Sequence, residues 1–579
     1  MTHAQHAKPG APSVFAPVKL LISDPHGEYE EFSHILRGAC GRVRQAVDEA
    51  FPDLPQSDRA CLASLVCYPR ERTARLLDGV GVKERPALLA SLIAQLTVLL
   101  GRYAQERAAG EVAAASPGAL TATVEELLEG RLSAEDAAQL PQAVDLICAL
   151  ARAIQLLAVE RLYLLGDVFD RGPSPDLILD EVASFPEACI TWGNHDIVWM
   201  GAALGQPGCV CHVVRICARY GNLSVLTDTY GMDLSPLFDF AMSAYADDPC
   251  AAFGLKGSPN LSPADLERTI KVQKAMAIIQ FKAEARLIDE NPSFGLADRK
   301  LLGVIDFDRG TVAVDGAAYE LTDTVFPTVD PSDPYRLTPE EEAVLHALEQ
   351  AFIGCDKLQR HVRSLLDRGS LYLVAGDDLL FHACVPLNPD GSLKEVALFG
   401  QTYRGKTLFD AVDGYVRDAF AATDPEARKR GADLLWYLWL GQGSPLFAKS
   451  KMATFEIYYI ADKAARKEVK NPFYQLYEDP EVLAEIFRDF GMDPERSRIV
   501  CGHVPVKAKD GEDPVKAGGK LLIIDGGMSK PYREKSGIAG YTLVEDADGA
   551  VLYAHQDFSG RKAAIEECAD LVSTARVLD

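Results

Sequence analysis

Short apolar runs that stop abruptly at polar loops recur along this chain, and that alternation limits the folds open to it. Val18 to Ser23 (VKLLIS) runs into DPHGE, and Arg161 to Leu165 runs into GDVFDRG. Ala188 to Trp192 runs into GNHD, Arg498 to Val500 into CGH, and Lys520 to Ile524 into DGGMSK. Leu371 to Val374 and Leu379 to Phe381 read as a hairpin about Gly376-Asp377 that ends at His382. Helical periodicity follows from Tyr29 to Phe51, from about Pro175, and in IVWMGAAL after the GNHD loop. Strands alternating with helices predict an α/β fold. Its polar loops gather at the carboxyl ends of the strands, where such folds bind ligands.

Two stretches break the rhythm. Residues 52–154 read as Ala- and Leu-rich helices without a chemical loop, and residues 205–369 mix helices such as Pro263 to Ile288 with Pro/Asp-rich loops. The division expected is a flexible tail at 1–16, core segments at 17–51, 155–204 and 370–579, and insertions at 52–154 and 205–369. Substrate-binding segments fall in the last core segment.

Composition narrows the function. The 579 residues are 48% hydrophobic and 25% charged, which is globular. A formal net charge of −25 argues against nucleic acid as a partner, so an anionic substrate needs a locally positive site. The start of the chain, MTHAQHAKPGAPSVFAP, lacks a signal pattern. The longest apolar run, Leu88 to Leu100, is too short for a bilayer, so no membrane partner is expected. The thirteen cysteines show no CxxC pair, and Cys209, Cys211 and Cys217 read as buried reduced thiols. A reducing cytoplasm fits these features.

The chemistry concentrates at the strand ends. Asp167, Asp170 and Arg171 crowd one loop after an apolar run, which is costly unless positive charge sits among them. Asp24 and His26 stand two apart after the first strand, Asn194-His195-Asp196 follows the third, and His382 and His503 each end a later run. Taken singly, each has a plain structural reading: a satisfied core histidine, a Gly-Asp turn, a hairpin signal. Taken together, five strand ends deliver metal-competent side chains to equivalent positions. Aspartate, histidine and asparagine donors suit Mn²⁺, Fe²⁺ or Zn²⁺, with no thiolate needed.

D-x-H, GDxxDRG, GNHD, a strand-end His and a final GH together resemble the calcineurin-like binuclear metallophosphoesterases. The arginine form GDxxDRG is similar to their phosphoprotein-phosphatase branch. WYLWLGQGSPLFAKSKMATFE (Trp436 to Glu456), KEVKNPFYQL (Lys467 to Leu476) and IDGGMSKPYREKSGIAGYTLV (Ile524 to Val544) resemble the class III fructose-1,6-bisphosphatases of bacteria. The resemblance implies a β-sandwich core flanked by helices, carrying two large, mainly helical insertions. The chain is shorter than expected of that family, which implies trimmed insertions.

Carried onto this sequence, the resemblance assigns one metal to Asp24, His26 and Asp167, and a second to Asp167, Asn194, His382 and His503. Two Mn²⁺ ions against the Asp24 and Asp167 carboxylates leave the site near about +2, attractive to a phosphate ester. Arg171 then contacts the phosphate, and His195 is the general acid, held by Asp170. The reaction implied is hydrolysis of fructose 1,6-bisphosphate to fructose 6-phosphate, a gluconeogenic step, by a homo-oligomer. The alternative is a metal-dependent protein serine/threonine phosphatase, and a catalytically dead binding protein is a third reading. A bisphosphate needs a second anchor. Lys451 and Lys530 are the favoured residues for it, ahead of Lys449, Arg533 and Lys535, while the run Lys463 to Lys470 reads as an exposed helix.

Overall fold

The computed structural model describes residues 13–107, 115, 118–257, 260–547 and 549–578. Most of the expected tail, residues 1–12, lies outside the described residues. Phe15, at its end, is buried edge-on against Tyr103 with ring centroids 5.3 Å apart.

Most of the apolar runs become strands covered on both faces, so nearly every side chain is apolar rather than every second one. The first sheet contains β1 (Val18–Ile22), β2 (Val159–Leu164), β3 (Ala188–Thr191) and β7 (Gly369–Ser370). It is completed by β15 (Gly540–Asp546), β16 (Gly549–His555) and β17 (Ser573–Leu578). Its order is β17-β16-β15-β1-β2-β3-β7. From β1 to β7 the pairs are parallel, and from β1 outward through β15 to β17 they are antiparallel.

The second sheet holds β8 (Tyr372–Ala375), β9 (Asp378–Phe381), β12 (Arg498–Cys501), β13 (Val515–Lys516) and β14 (Leu521–Ile523), in the order β13-β14-β12-β9-β8. Arg498 on β12 ties the two sheets together: its guanidinium meets Asp378 on β9 at 2.8 Å and also Glu545 on β15. A small hairpin, β10 (Val396–Leu398) with β11 (Gln401–Tyr403), lies outside both sheets.

Between β1 and β2 the described chain is helical, and its longest helix, Arg85–Gln105, buries Leu92, Ile93, Leu96, Leu99 and Leu100. This corrects the length argument made from the sequence. The helix has 21 residues and is long and apolar enough to cross a membrane, although here it packs on the helix Ala143–Ala158.

Between β3 and β7 the helix Pro263–Glu290 packs on Pro207–Arg219. Its buried lysines are paired: Lys274 lies 2.6 Å from Asp248 and 2.7 Å from Asp323, and Lys282 lies 2.6 Å from Glu341. This stretch also contains an antiparallel sheet that periodicity did not reveal: β4 (Ile305–Asp306), β5 (Thr311–Val314) and β6 (Ala317–Glu320).

Two further expectations are corrected. Residues 463–470 form a turn and an extended segment, not a helix, with Lys470 bridged to Lys449. Cys61 and Cys568 are joined in a disulfide, which departs from an all-reduced set. Cys209, Cys211 and Cys217 are free and buried, and burial pushes their thiols well above the ordinary range.

Candidate active site

Parallel strands end side by side, so the loops after β1, β2 and β3 emerge together, and those after β9 and β12 face them. Hydrogen bonds join the first two loops: Asp24 N–H to the Gly166 carbonyl (3.1 Å), His26 N–H to Asp167 (3.0 Å) and Gly172 N–H to His26 (2.8 Å). Gly502 N–H donates to the His382 carbonyl (2.9 Å) and joins the two loops of the second sheet. Asp24, His26, Asp167, Asp170, Arg171 and His503 all have φ between 42° and 69°. Such backbone costs on the order of 1–3 kcal/mol per residue and persists only where surroundings enforce it, as those hydrogen bonds do.

The side chains converge on Asp167. His26 Nε2 lies 3.6 Å from Asp167 Oδ2 and 3.8 Å from Asp24 Oδ1. On the other side, His382 Nε2 lies 3.4 Å from Asp167 Oδ1 and 3.2 Å from Asn194 Oδ1. His503 Nδ1 is 3.1 Å from Asn194 Oδ1 and 3.2 Å from His382 Nε2. Two groups of potential ligands result, His26–Asp167–His195 and Asp167–His382–His503, sharing Asp167. The structure thus gathers all six residues read as ligands, and it brings His195 to the first group as well.

These donors fit divalent ions. Ligand atoms about 2.0–2.2 Å from one tetrahedral ion lie roughly 3.3–3.6 Å from one another, close to the separations seen here. The far nitrogens are fixed by backbone: His26 Nδ1 on the Phe169 carbonyl (2.9 Å) and His382 Nδ1 on that of Leu165 (2.8 Å). Carbonyl contacts of this kind orient metal-bound imidazoles. His26 Nε2 is left buried with no hydrogen-bond partner. Burial, with Asp167 beside it, pushes Asp24 up to about 6. Burial also opposes ionisation of Asp167, yet His382 and its neighbouring imidazoles hold that carboxyl well below its usual range. Buried carboxylates and rings crowded in this way call for cations.

The residues beside the ligands form a second arrangement. His195 Nδ1 meets Asp170 Oδ2 at 2.6 Å, and Trp199 Nε1–H donates to Asp170 Oδ1 at 2.9 Å. Arg171 reaches the other face of the ring, with a terminal nitrogen 3.3 Å from His195 Nε2. The Trp439 ring stands edge-on to His195, with centroids 4.9 Å apart. A carboxylate behind an imidazole and a guanidinium before it can serve acid–base chemistry on an anionic substrate.

Sequence reasoning missed three supports. Asp196 accepts from the Asp167, Val168 and Gly193 N–H groups, each at 2.9 Å, and so fixes the loop that carries the shared carboxylate. Asp525, after β14, accepts from Gly527 N–H at 2.8 Å, and burial together with Asp24 raises it well above the usual range. Asp525 carries the signal used for the others, a carboxylate at a strand end. Gly193 is required by contact: a Cβ there would lie 2.2 Å from Asp167 Oδ1.

The basic residues proposed for a second phosphate are placed differently. Lys451 is paired with Asp315 at 2.6 Å and Glu456 at 3.5 Å, and Lys449 with Glu468 at 2.7 Å. Lys530 is exposed, 3.6 Å from Glu28, and Arg533 is paired with Glu31 and Asp557.

With this geometry in hand, similarity to known proteins is specific. The family model of the Firmicute fructose-1,6-bisphosphatases matches residues 16–579. A class 3 fructose-1,6-bisphosphatase of Clostridium novyi (strain NT) is 40% identical over 96% of this chain and 86% of its own length. That of Alkaliphilus metalliredigens (strain QYMF) shows the same identity and the same coverage. No solved structure matches the chain. The chain belongs to the Firmicute fructose-1,6-bisphosphatase family.

Proposed function

We propose that the site hydrolyses fructose 1,6-bisphosphate to fructose 6-phosphate and phosphate. Family membership supports the substrate. The observation that carries the chemistry is the pair of ligand groups sharing Asp167, with the Asp170–His195–Arg171 array beside them. Asp24, His26 and Asp167 would hold one ion, and Asp167, Asn194, His382 and His503 the other, with Mn²⁺ as the metal. When bound, the ions supply Lewis acidity and a water activated at neutral pH. The clustering of strand-end ligands at two facing sheets supports a calcineurin-like metallophosphatase core interrupted by insertions at 52–154 and 205–369.

The chain's own groups do the rest. Arg171 offers its guanidinium to the phosphoryl oxygens and leaves His195 Nε2 free when it does so. His195, protonated at Nε2, donates to the departing sugar oxygen, since an alkoxide is a poor leaving group. A positioned acid of this kind contributes typically about 10²–10⁴-fold. Asp170 holds Nδ1–H and stabilises the imidazolium, while Trp199 fixes Asp170. Trp439 shields the ring from water.

The experiment compares phosphate release from fructose 1,6-bisphosphate and from a phosphoserine peptide, by wild type and His195→Ala. Release from the sugar that falls at least about 10²-fold in the variant is expected. Preference for the peptide would favour the protein phosphatase reading instead.

A further inference from the structure

The residues around Arg171 extend the site towards Lys535, one of the lower-ranked candidates for the second phosphate, and towards Lys256, which the sequence did not single out. The Arg171 guanidinium lies 4.4 Å from the centre of the Tyr532 ring, in addition to its 3.3 Å approach to His195 Nε2. Around the same ring, Lys256 Nζ lies at 5.9 Å and Lys535 Nζ at 5.1 Å. Lys256 also faces the Tyr220 ring at 5.7 Å, and its backbone N–H donates to the Arg219 carbonyl at 2.7 Å, while the Arg219 guanidinium lies 5.1 Å from the centre of the Tyr458 ring. These cations come from separate places. Arg171 is in the loop after β2, Arg219 ends the helix Pro207–Arg219, Lys256 is in a later loop, and Lys535 shares the helix Lys530–Ser536 with Tyr532.

We propose that Lys256 and Lys535, gathered about Tyr532, anchor the substrate's second, non-reacting phosphate, with Arg171 between the two phosphates. This rests on the bisphosphatase reading.

Three observations carry it. Among the described residues, no Asp or Glu lies within ion-pair distance of Arg171, Arg219, Lys256 or Lys535, in a chain of net charge −25 whose other candidate lysines are all paired. Arg171 Nε is buried and makes no hydrogen bond. The cluster starts at the acid–base array and ends one aromatic ring away, a span suited to a sugar phosphorylated at both ends. Unpaired cations gathered on one aromatic ring are stabilised by a dianion. The protonation behaviour agrees: burial, with Arg219, Arg171 and Lys535 nearby, depresses Lys256 despite the Tyr532 hydroxyl. Arg171 above all, with Lys256 and Lys535 adding, holds the Tyr532 phenol down to about 7.

The test compares kcat/KM for fructose 1,6-bisphosphate with that for fructose 1-phosphate in metal-loaded wild type, Lys256→Gln and Lys535→Gln. Each variant is expected to lower that ratio by roughly 10–100-fold, the loss of one charge-assisted hydrogen bond. An unchanged ratio in both variants overturns the anchor. Wild type that fails to hydrolyse the bisphosphate overturns the underlying reading instead. A second readout follows Tyr532 ionisation by ultraviolet difference absorption, with Tyr532→Phe identifying the signal. Added fructose 6-phosphate should raise its midpoint in wild type and less so in Lys256→Gln, while equal shifts or none contradict the anchor.

Discussion

At the scale of single residues, the chemistry depends on how carboxylates are held. Asp170 has one oxygen on His195 and the other on Trp199. Asp170→Asn keeps the shape but withdraws the charge that supports a protonated ring. We expect kcat to fall roughly 10²-fold, within the range of a general acid, with KM little changed. Trp199→Phe leaves Asp170 charged but loosens it, so a smaller fall is expected, and steady-state kinetics of both variants check the order. Asp24, His26, Asp167, Asn194, His382 and His503 were legible because each sits at the end of an apolar run. Lys256 was not, because it lies between β3 and β7 with no motif around it, and only the fold brings it to the Tyr532 ring that Arg171 also covers. Lys451 and Lys530 read as free cations in the sequence, since their partners Asp315 and Glu28 are distant along the chain.

At the scale of elements, legibility follows local patterning. β1, β2, β3, β9 and β12 are apolar on both faces and were visible, as was the β8–β9 turn at Gly376, where φ is 69°. β4 to β6 were not, because their exposed polar positions resemble loop. The helices between β3 and β7 are held by buried ion pairs, and Lys282–Glu341 is wholly buried at both ends. Glu341 also accepts from Thr338 N–H and so caps its own helix. Removing one partner leaves a buried unpaired charge, so Lys282→Met should cost about 3–5 kcal/mol in a denaturation experiment, whereas a change near zero contradicts this role. His555, at the end of β16, holds Ser573 Oγ and Thr542 Oγ1 at 2.8 Å each. Burial, with His34 adding, lowers its pKa to about 3, against about 6.5 in an unfolded chain. Below that upper value the unfolded chain takes a proton that the folded one refuses. His555 therefore leaves stability intact above about 6.5 and reduces it progressively as pH falls towards 3. His555→Gln should flatten Tm against pH across that window.

At the scale of the whole molecule, long-range closures dominate, and these the sequence hides. The Cys61–Cys568 disulfide links residues 507 apart, joining a helix between β1 and β2 to the loop between β16 and β17. No spacing among thirteen cysteines singles out that pair. Closing so long a loop is worth about 2–5 kcal/mol, so Cys61→Ser should lower Tm only under oxidising conditions. Equal Tm under oxidising and reducing conditions in wild type would contradict the link. The larger closure is the meeting of two sheets whose strand ends share one site, which we propose holds two metal ions around Asp167. The measurement that tests it most directly counts Mn²⁺ bound per chain after chelation and reloading, in wild type and Asp167→Asn, alongside phosphate release from fructose 1,6-bisphosphate. Two ions and metal-dependent release are expected in wild type, with at most one ion and little release in the variant. Full release from chelated protein, or the same metal count in both proteins, would contradict it.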